Sequence, residues 1–242
     1  MTETNIDVEP YILNESNMLS YLKYKLNNSS VKITPKEITI KQVINKPSFF
    51  IPKGNDTLFW CYYIILNGDV SYEMLNVKNI LVEKQHKINY VNKIRDNKQV
   101  VKMYKFDTLT NIESNLANDN FINIKTVMAL CAIDKLNIIF ISKKTYFELL
   151  MSDDKPIYVI RVLESMYNKK YIFEVANATM IEEIRKSLYK VETLDKPIKA
   201  LSAYKVEDLI DICNKLVIDV VNKETGKNKR KNELYESIIQ YF

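Results

Sequence analysis

The stretch Pro52–Gly68, PKGNDTLFWCYYIILNG, concentrates the side chains of this chain that could do chemistry. Cys61 offers a thiol, and Asp56 and Thr57 offer a carboxylate and a hydroxyl at the mouth of an apolar run. A thiol in the first turns of a helix has its thiolate favoured by the helix dipole, and the thiolate is the nucleophile. Nucleophilic catalysis also needs a base within hydrogen-bond reach to take the thiol proton. The chain has one histidine, His86, and it lies in a polar helical stretch after Cys61. Without an imidazole at hand, Cys61 reads as a small core hydrophobe and His86 as a solvated surface residue. The catalytic reading therefore rests on a Cys61–His86 pair and nothing else.

The elements that must position these groups follow from local pattern. Asp56 or Thr57 can cap a first turn, and Gly68 can take the left-handed residue that ends a helix, so the spacing predicts a buried helix over 57–67. Residues 17–27 have helical spacing, and 31–51 read as short extended segments broken by Pro35 and Pro47. Residues 72–105 read as one or two helices, with Leu75, Val77, Ile80 and Leu81 on one side and Ile88, Val91 and Ile94 on the next. A short helix is expected over 108–117, and another after Asn123. Leu136–Ile141, Ile157–Leu163 and Lys170–Val175 read as three strands, with Thr145–Met151 helical between the first two. A helix follows over 180–190. Helices packed on one small sheet make an α+β fold. The organisation expected is a flexible arm over 1–14, an α+β domain over 15–190, a linker over 191–203 and a two-helix unit over 204–242.

Composition narrows the classes. The net charge is +5, mildly basic, which does not by itself demand a nucleic-acid partner. Cys61, Cys131 and Cys213 are odd in number and far apart, which fits a reducing compartment and not a disulfide framework. With no CxxC pair and one histidine, no metal site is expected, and no glycine-rich nucleotide fingerprint points to a cofactor. No signal peptide or membrane-length apolar run is visible, so the expectation is a soluble intracellular protein without a membrane partner.

The order of these elements resembles the ovarian-tumour (OTU) family of papain-fold deubiquitinases. That family has an Asp-Gly-Asn-Cys turn followed by an apolar helix, and here Gly54-Asn55-Asp56-Thr57-Leu58-Phe59-Trp60 stands in that place. It then has a helix before a strand, a second strand, and a His-Tyr turn into a third; here Lys170-Tyr171 opens the third strand. The resemblance covers about residues 50–175. It implies a papain/OTU-like fold in which Asp56, Thr57 and Lys170 hold degenerate catalytic positions. Thr57 stands at the nucleophile, Cys61 falls one turn later, and Lys170 replaces the histidine base. The implied protein is a pseudoenzyme; the alternative is a cysteine peptidase or deubiquitinase using Cys61. The Asn-, Lys-, Ile- and Tyr-rich composition is similar to that of uncharacterised proteins of large nucleocytoplasmic DNA viruses, implying host cytoplasm or virion as location.

The C-terminal unit resembles SAP or Rho-N-type helix–extended–helix modules, which bind DNA or RNA backbones. Val206, Leu209, Ile212 and Leu216 would form the apolar face of its first helix, and Leu234 and Ile238 that of the second. Lys227, Lys229, Arg230 and Lys231 put four basic residues within five positions just before the second helix. Helix N-terminal amides add donors there, so these four are the candidate phosphate contacts. The resulting expectation is a non-catalytic protein that contacts nucleic acid through its tail and a protein partner through its α+β domain, as a virion- or genome-associated factor. A purely structural capsid or scaffold component is the remaining alternative.

Overall fold

The computed structural model describes residues 49–75, 79–164, 169–222 and 226–242. The expected arm over 1–14, the helix over 17–27 and all but the end of the extended stretch over 31–51 lie outside the described residues. What is described falls within one compact unit, Lys46–Phe242.

Helix starts are set by short polar side chains. Asp56, Asn79, Thr108, Asn123 and Asn177 each accept a hydrogen bond from the backbone amide three residues on. These caps open α1 (Thr57–Asn67), α3 (Ile80–Asp96), α5 (Leu109–Asn118), α6 (Ile124–Ile133) and α7 (Ala178–Ser187). Two shorter helices, α2 (Asp69–Glu73) and α4 (Lys98–Tyr104), fill the intervals. Gly68 ends α1 at φ 84, a backbone conformation that costs glycine nothing.

The strands β1 (Asn137–Ser142), β2 (Thr145–Leu149), β3 (Ile157–Glu164), β4 (Lys169–Val175) and β5 (Tyr189–Lys190) form one mixed sheet in the order β4-β3-β1-β2-β5. β1 runs parallel to β3 and β2 parallel to β5; the β1–β2 and β3–β4 pairs are antiparallel. Helices with a sheet make this an α+β protein. The period of two sorts the strand residues by face. Ile138, Leu149, Ile160 and Phe173 join the main core with α1 and α6, while Ile139, Ile141, Tyr146 and Val159 meet Ile184 of α7 on the other face. The α1 residues from Leu58 to Ile65 are buried on every side, which is why that helix reads as uniformly apolar.

Two local expectations change. Thr145–Met151 was expected helical, but Thr145–Leu149 is strand β2, joined to β1 by a two-residue turn in which Lys143 takes φ 52. The turn carries no glycine or asparagine, so it leaves no mark in the sequence. The helix expected over 180–190 stops at Ser187, and Tyr189–Lys190 becomes β5.

The tail folds as α8 (Val206–Leu216) and α9 (Lys231–Tyr241), packed on each other and reached through a 3-10 turn at Leu201–Ala203. Leu209, Ile212, Cys213, Leu216, Leu234 and Ile238 form its core together with Tyr189 and Val191. Tyr241 accepts a hydrogen bond from the Lys144 amide at 3.1 Å, and Tyr235 donates to the Lys199 carbonyl at 2.9 Å. The two-helix unit therefore shares its core with the β5 edge of the sheet.

Candidate functional site

The entry to α1 is a closed polar network. Asp56 is 1% exposed; its Oδ1 accepts from the Phe59 amide at 3.1 Å and its Oδ2 from the Ile122 amide at 2.6 Å. Lys87 of α3 is 0% exposed and places its Nζ 2.7 Å from Asp56 Oδ2. The same ammonium donates to Glu83 Oε1 at 3.1 Å and to the Asn120 carbonyl at 2.9 Å. Glu83 Oε2 in turn accepts from the Asp56 amide at 3.1 Å and from Trp60 Nε1 at 3.0 Å. All three protons of the ammonium thus have an acceptor, as a buried charge requires. Burial raises the Asp56 carboxyl above its ordinary value, and the charge and hydrogen bond of Lys87 work against that rise.

Glu83 and Lys87 are the functional-site residues that sequence reading passes over. Their signal is phase: the buried positions of α3 are Glu83, Lys87, Val91 and Ile94, one helical stripe with two charges in it. Of the apolar residues expected on its two sides, Ile80, Leu81 and Ile88 are exposed while Val91 and Ile94 are buried, and Val77 lies outside the described residues.

Cys61 lies inside this region, 0% exposed. Burial, and next the nearby Asp56 carboxylate, raise its thiol well above the ordinary value. That direction is opposite to the one that makes a thiolate available. His86 is half-buried, its ring edge-on to Trp60 and to Tyr63 with centroids 6.2 and 5.0 Å apart. Burial lowers its pKa.

Thr57 sits where the helix meets the sheet. Its Oγ1 accepts from the Tyr171 amide at 2.9 Å, a contact between residues 114 apart in the chain. The positions read as degenerate nucleophile and degenerate base, Thr57 and Lys170, are therefore carried by neighbouring backbone. Lys170 itself is exposed. Beside them Phe50 pairs with Phe173 in both directions, at 2.8 and 3.1 Å, so the outer edge of β4 is covered by the chain that leads into α1.

The basic segment forms the second candidate site. A short antiparallel ribbon, with a bridge between Val221 and Asn228, brings the chain back to α9. Lys227 and Arg230 are exposed; Lys229 and Lys231 are half-buried. Lys229 Nζ donates to Ser237 Oγ at 3.0 Å, while the Arg230 amide donates to Glu233 Oε2 at 2.7 Å. Lys229, Arg230 and Lys231 stand at the start of α9 and Lys227 in the ribbon before it, and Lys227 and Arg230 are the more exposed of the four. Among the described residues no group of three His, Cys, Asp or Glu side chains could hold a metal ion, and no helix is long and apolar enough to cross a membrane.

The chain matches no protein-family model, no curated protein and no solved structure.

Proposed function

We propose that this chain is a non-catalytic binding protein: a degenerate OTU-like, papain-fold body that serves as a protein-contact scaffold, with a C-terminal module that contacts nucleic-acid phosphates. The observation that carries the first half is the Thr57–Tyr171 hydrogen bond. It sets the helix start beside the strand start, as a papain-type site would, yet those positions carry a threonine and a lysine. The nearest thiol in sequence, Cys61, is enclosed and raised in pKa. The second half is supported by the basic residues Lys227 and Arg230, exposed beside the first turn of α9, where backbone amides add to the positive field. In a large DNA virus, which the composition resembles, such a protein suits a genome- or virion-associated role.

The nucleic-acid reading is tested on the full chain. Binding to two unrelated duplexes should be equal and weak. Up to four phosphate contacts give a log–log salt slope of about −3 to −4. Replacing Lys227, Lys229, Arg230 and Lys231 with Gln should flatten that slope and weaken both complexes alike. No binding at low salt, or a slope that survives the four substitutions, refutes it. The non-catalytic reading fails if pure protein turns over a ubiquitin-based substrate and Cys61→Ala abolishes the turnover.

A further inference from the structure

A second group of lysines lies at the other end of α9. Lys143 and Lys144 form the β1–β2 turn and are exposed, and among the described residues neither side chain has a carboxylate partner. The turn is tied to the helix. The Lys144 amide donates to the Tyr241 hydroxyl, and Lys143 Nζ stands 5.9 Å from the centroid of the Tyr241 ring. Ser237, which holds Lys229 Nζ, lies one turn before Tyr241 on the same flank. That flank of α9 therefore runs from the Lys229 ammonium to that of Lys143. The carboxylates of β2 and of the chain after β5 do not offset this charge, since each is already paired: Glu148 with Arg185 and Lys190, Glu192 with Lys199, and Asp195 with Lys125. Glu233 and Glu236 are exposed on the outer side of the helix.

Beside this turn is a cavity of about 380 Å3. Phe140 and Phe147 are partners across β1 and β2, so both line it from one face of the sheet. Phe242, the residue after Tyr241, lines another side and is 48% exposed. Thr145 and Thr193 add hydroxyls, and Asp195, the one charged residue of the lining, is the partner of Lys125. Thr145 follows Lys144 directly and Phe242 follows Tyr241, so the lysine turn and the cavity share a border. An apolar, aromatic cavity of this size with a few polar groups suits a single flat ring system.

We propose that this cavity takes an unpaired base of a single-stranded nucleic acid, whose backbone follows the flank of α9 from Lys229 to the Lys143–Lys144 turn. The inference rests on the nucleic-acid reading of the tail and adds the class of strand it prefers. The base stacks on Phe242 and enters against Phe140 and Phe147, while the phosphates beside it meet Lys143 and Lys144. Every base has a flat face, so the site tolerates sequence. A duplex keeps its bases paired and offers only phosphates. It is also kept from taking α9 into a groove, because phosphates on both rims would meet Glu233 and Glu236. Duplexes are thus left with the basic segment before α9, and single strands gain a second point of contact.

The test uses the full chain and three fluorescein-labelled probes of about twelve nucleotides: a thymidine single strand, a strand of abasic residues, and a duplex. The thymidine strand should bind at least about tenfold tighter than the other two. Lys143→Asn with Lys144→Gln keeps the left-handed turn and the bond from the Lys144 amide. This pair should weaken the thymidine strand about tenfold, lower its log–log salt slope by about 1.4, and leave the duplex within about twofold. Phe242→Ala should weaken the thymidine strand by about fivefold or more at unchanged slope, because stacking neutralises no phosphate. A thymidine strand no tighter than the duplex or the abasic strand, a slope indifferent to the Lys143 and Lys144 changes, or a Phe242→Ala variant that binds as before overturns the proposal. The tail reading then still stands if duplex binding depends on the four basic residues before α9. Failure of every probe to bind at low salt overturns both.

Discussion

Lys87→Met is the sharpest test of how α1 is held. The change keeps the length of the side chain and removes only the ammonium. Three acceptors lose their donor at once: Asp56 Oδ2, Glu83 Oε1 and the Asn120 carbonyl. Two carboxylates then remain in a site where each is 1% exposed. Removing one member of a buried ion pair costs about 3–5 kcal/mol, because the remaining charge is left uncompensated. With a urea m value of about 2.5 kcal/mol/M, the midpoint should fall by about 1–2 M at unchanged slope. Trp60 reports the transition, since it is the only tryptophan and donates to Glu83.

The control is the double variant Glu83→Gln with Lys87→Met. Glu83 uses one oxygen for both the Asp56 amide and Trp60 Nε1. A glutamine oxygen can keep those two bonds and turn its amide nitrogen toward Asp56. The site then returns to one net negative charge, the count it has with all three groups ionised. The double variant should recover at least half of the loss. A single variant costing less than about 1 kcal/mol, or a double no more stable than the single, would refute the argument that charge compensation holds this site.

Gly54 stands at φ 130, and a Cβ there would lie 2.3 Å from Trp60 Nε1, so Gly54→Ala should displace the indole, break its bond to Glu83, red-shift its fluorescence and cost at least about 2 kcal/mol. Val217 ends α8 at φ 61, a strained backbone for a β-branched residue, and its side chain is 74% exposed; Val217→Gly should raise stability by up to about 1 kcal/mol in thermal unfolding. Burial by itself would raise the Glu148 carboxyl, but the donors Lys190 and Arg185 outweigh it and hold the carboxyl below its ordinary value. A lowered folded pKa contributes stability above the unfolded value of 4.5 that is lost as pH falls through the folded one; Glu148→Gln should remove that acid-side loss, worth at most about 1 kcal/mol, in unfolding curves taken across this range.

The elements that could be read from sequence were those in which local chemistry and burial agree. α1 runs from an Asp cap to a glycine, every residue between is apolar enough for a fully enclosed helix, and its bounds follow directly. The tail was legible for the same reason: Leu209, Ile212, Cys213, Leu234 and Ile238 fall in phase and are all buried. β2 was not, because its turn uses two lysines and its strand alternates only loosely between buried and half-buried positions. α3 misleads more deeply. Ile80, Leu81 and Ile88 face outward, while the buried stripe that Val91 and Ile94 mark also carries Glu83 and Lys87. No rule of hydrophobic phase places a charged pair inside unless a third group is known to be waiting there.

That third group is Asp56, and its position bears on the functional reading of α1. A helix start used for acyl transfer must leave amides free to meet a developing oxyanion, in a site that substrate can enter. Here the Phe59 amide already donates to Asp56 Oδ1, the Ile122 amide to Oδ2, and the Asp56 amide to Glu83. The adjacent hydroxyl of Thr57 holds the Tyr171 amide, tying the helix start to β4. Three amides and the Thr57 hydroxyl at this helix start are thus bonded within the chain itself. A helix start fixed in this way is what the proposed protein-contact scaffold would require.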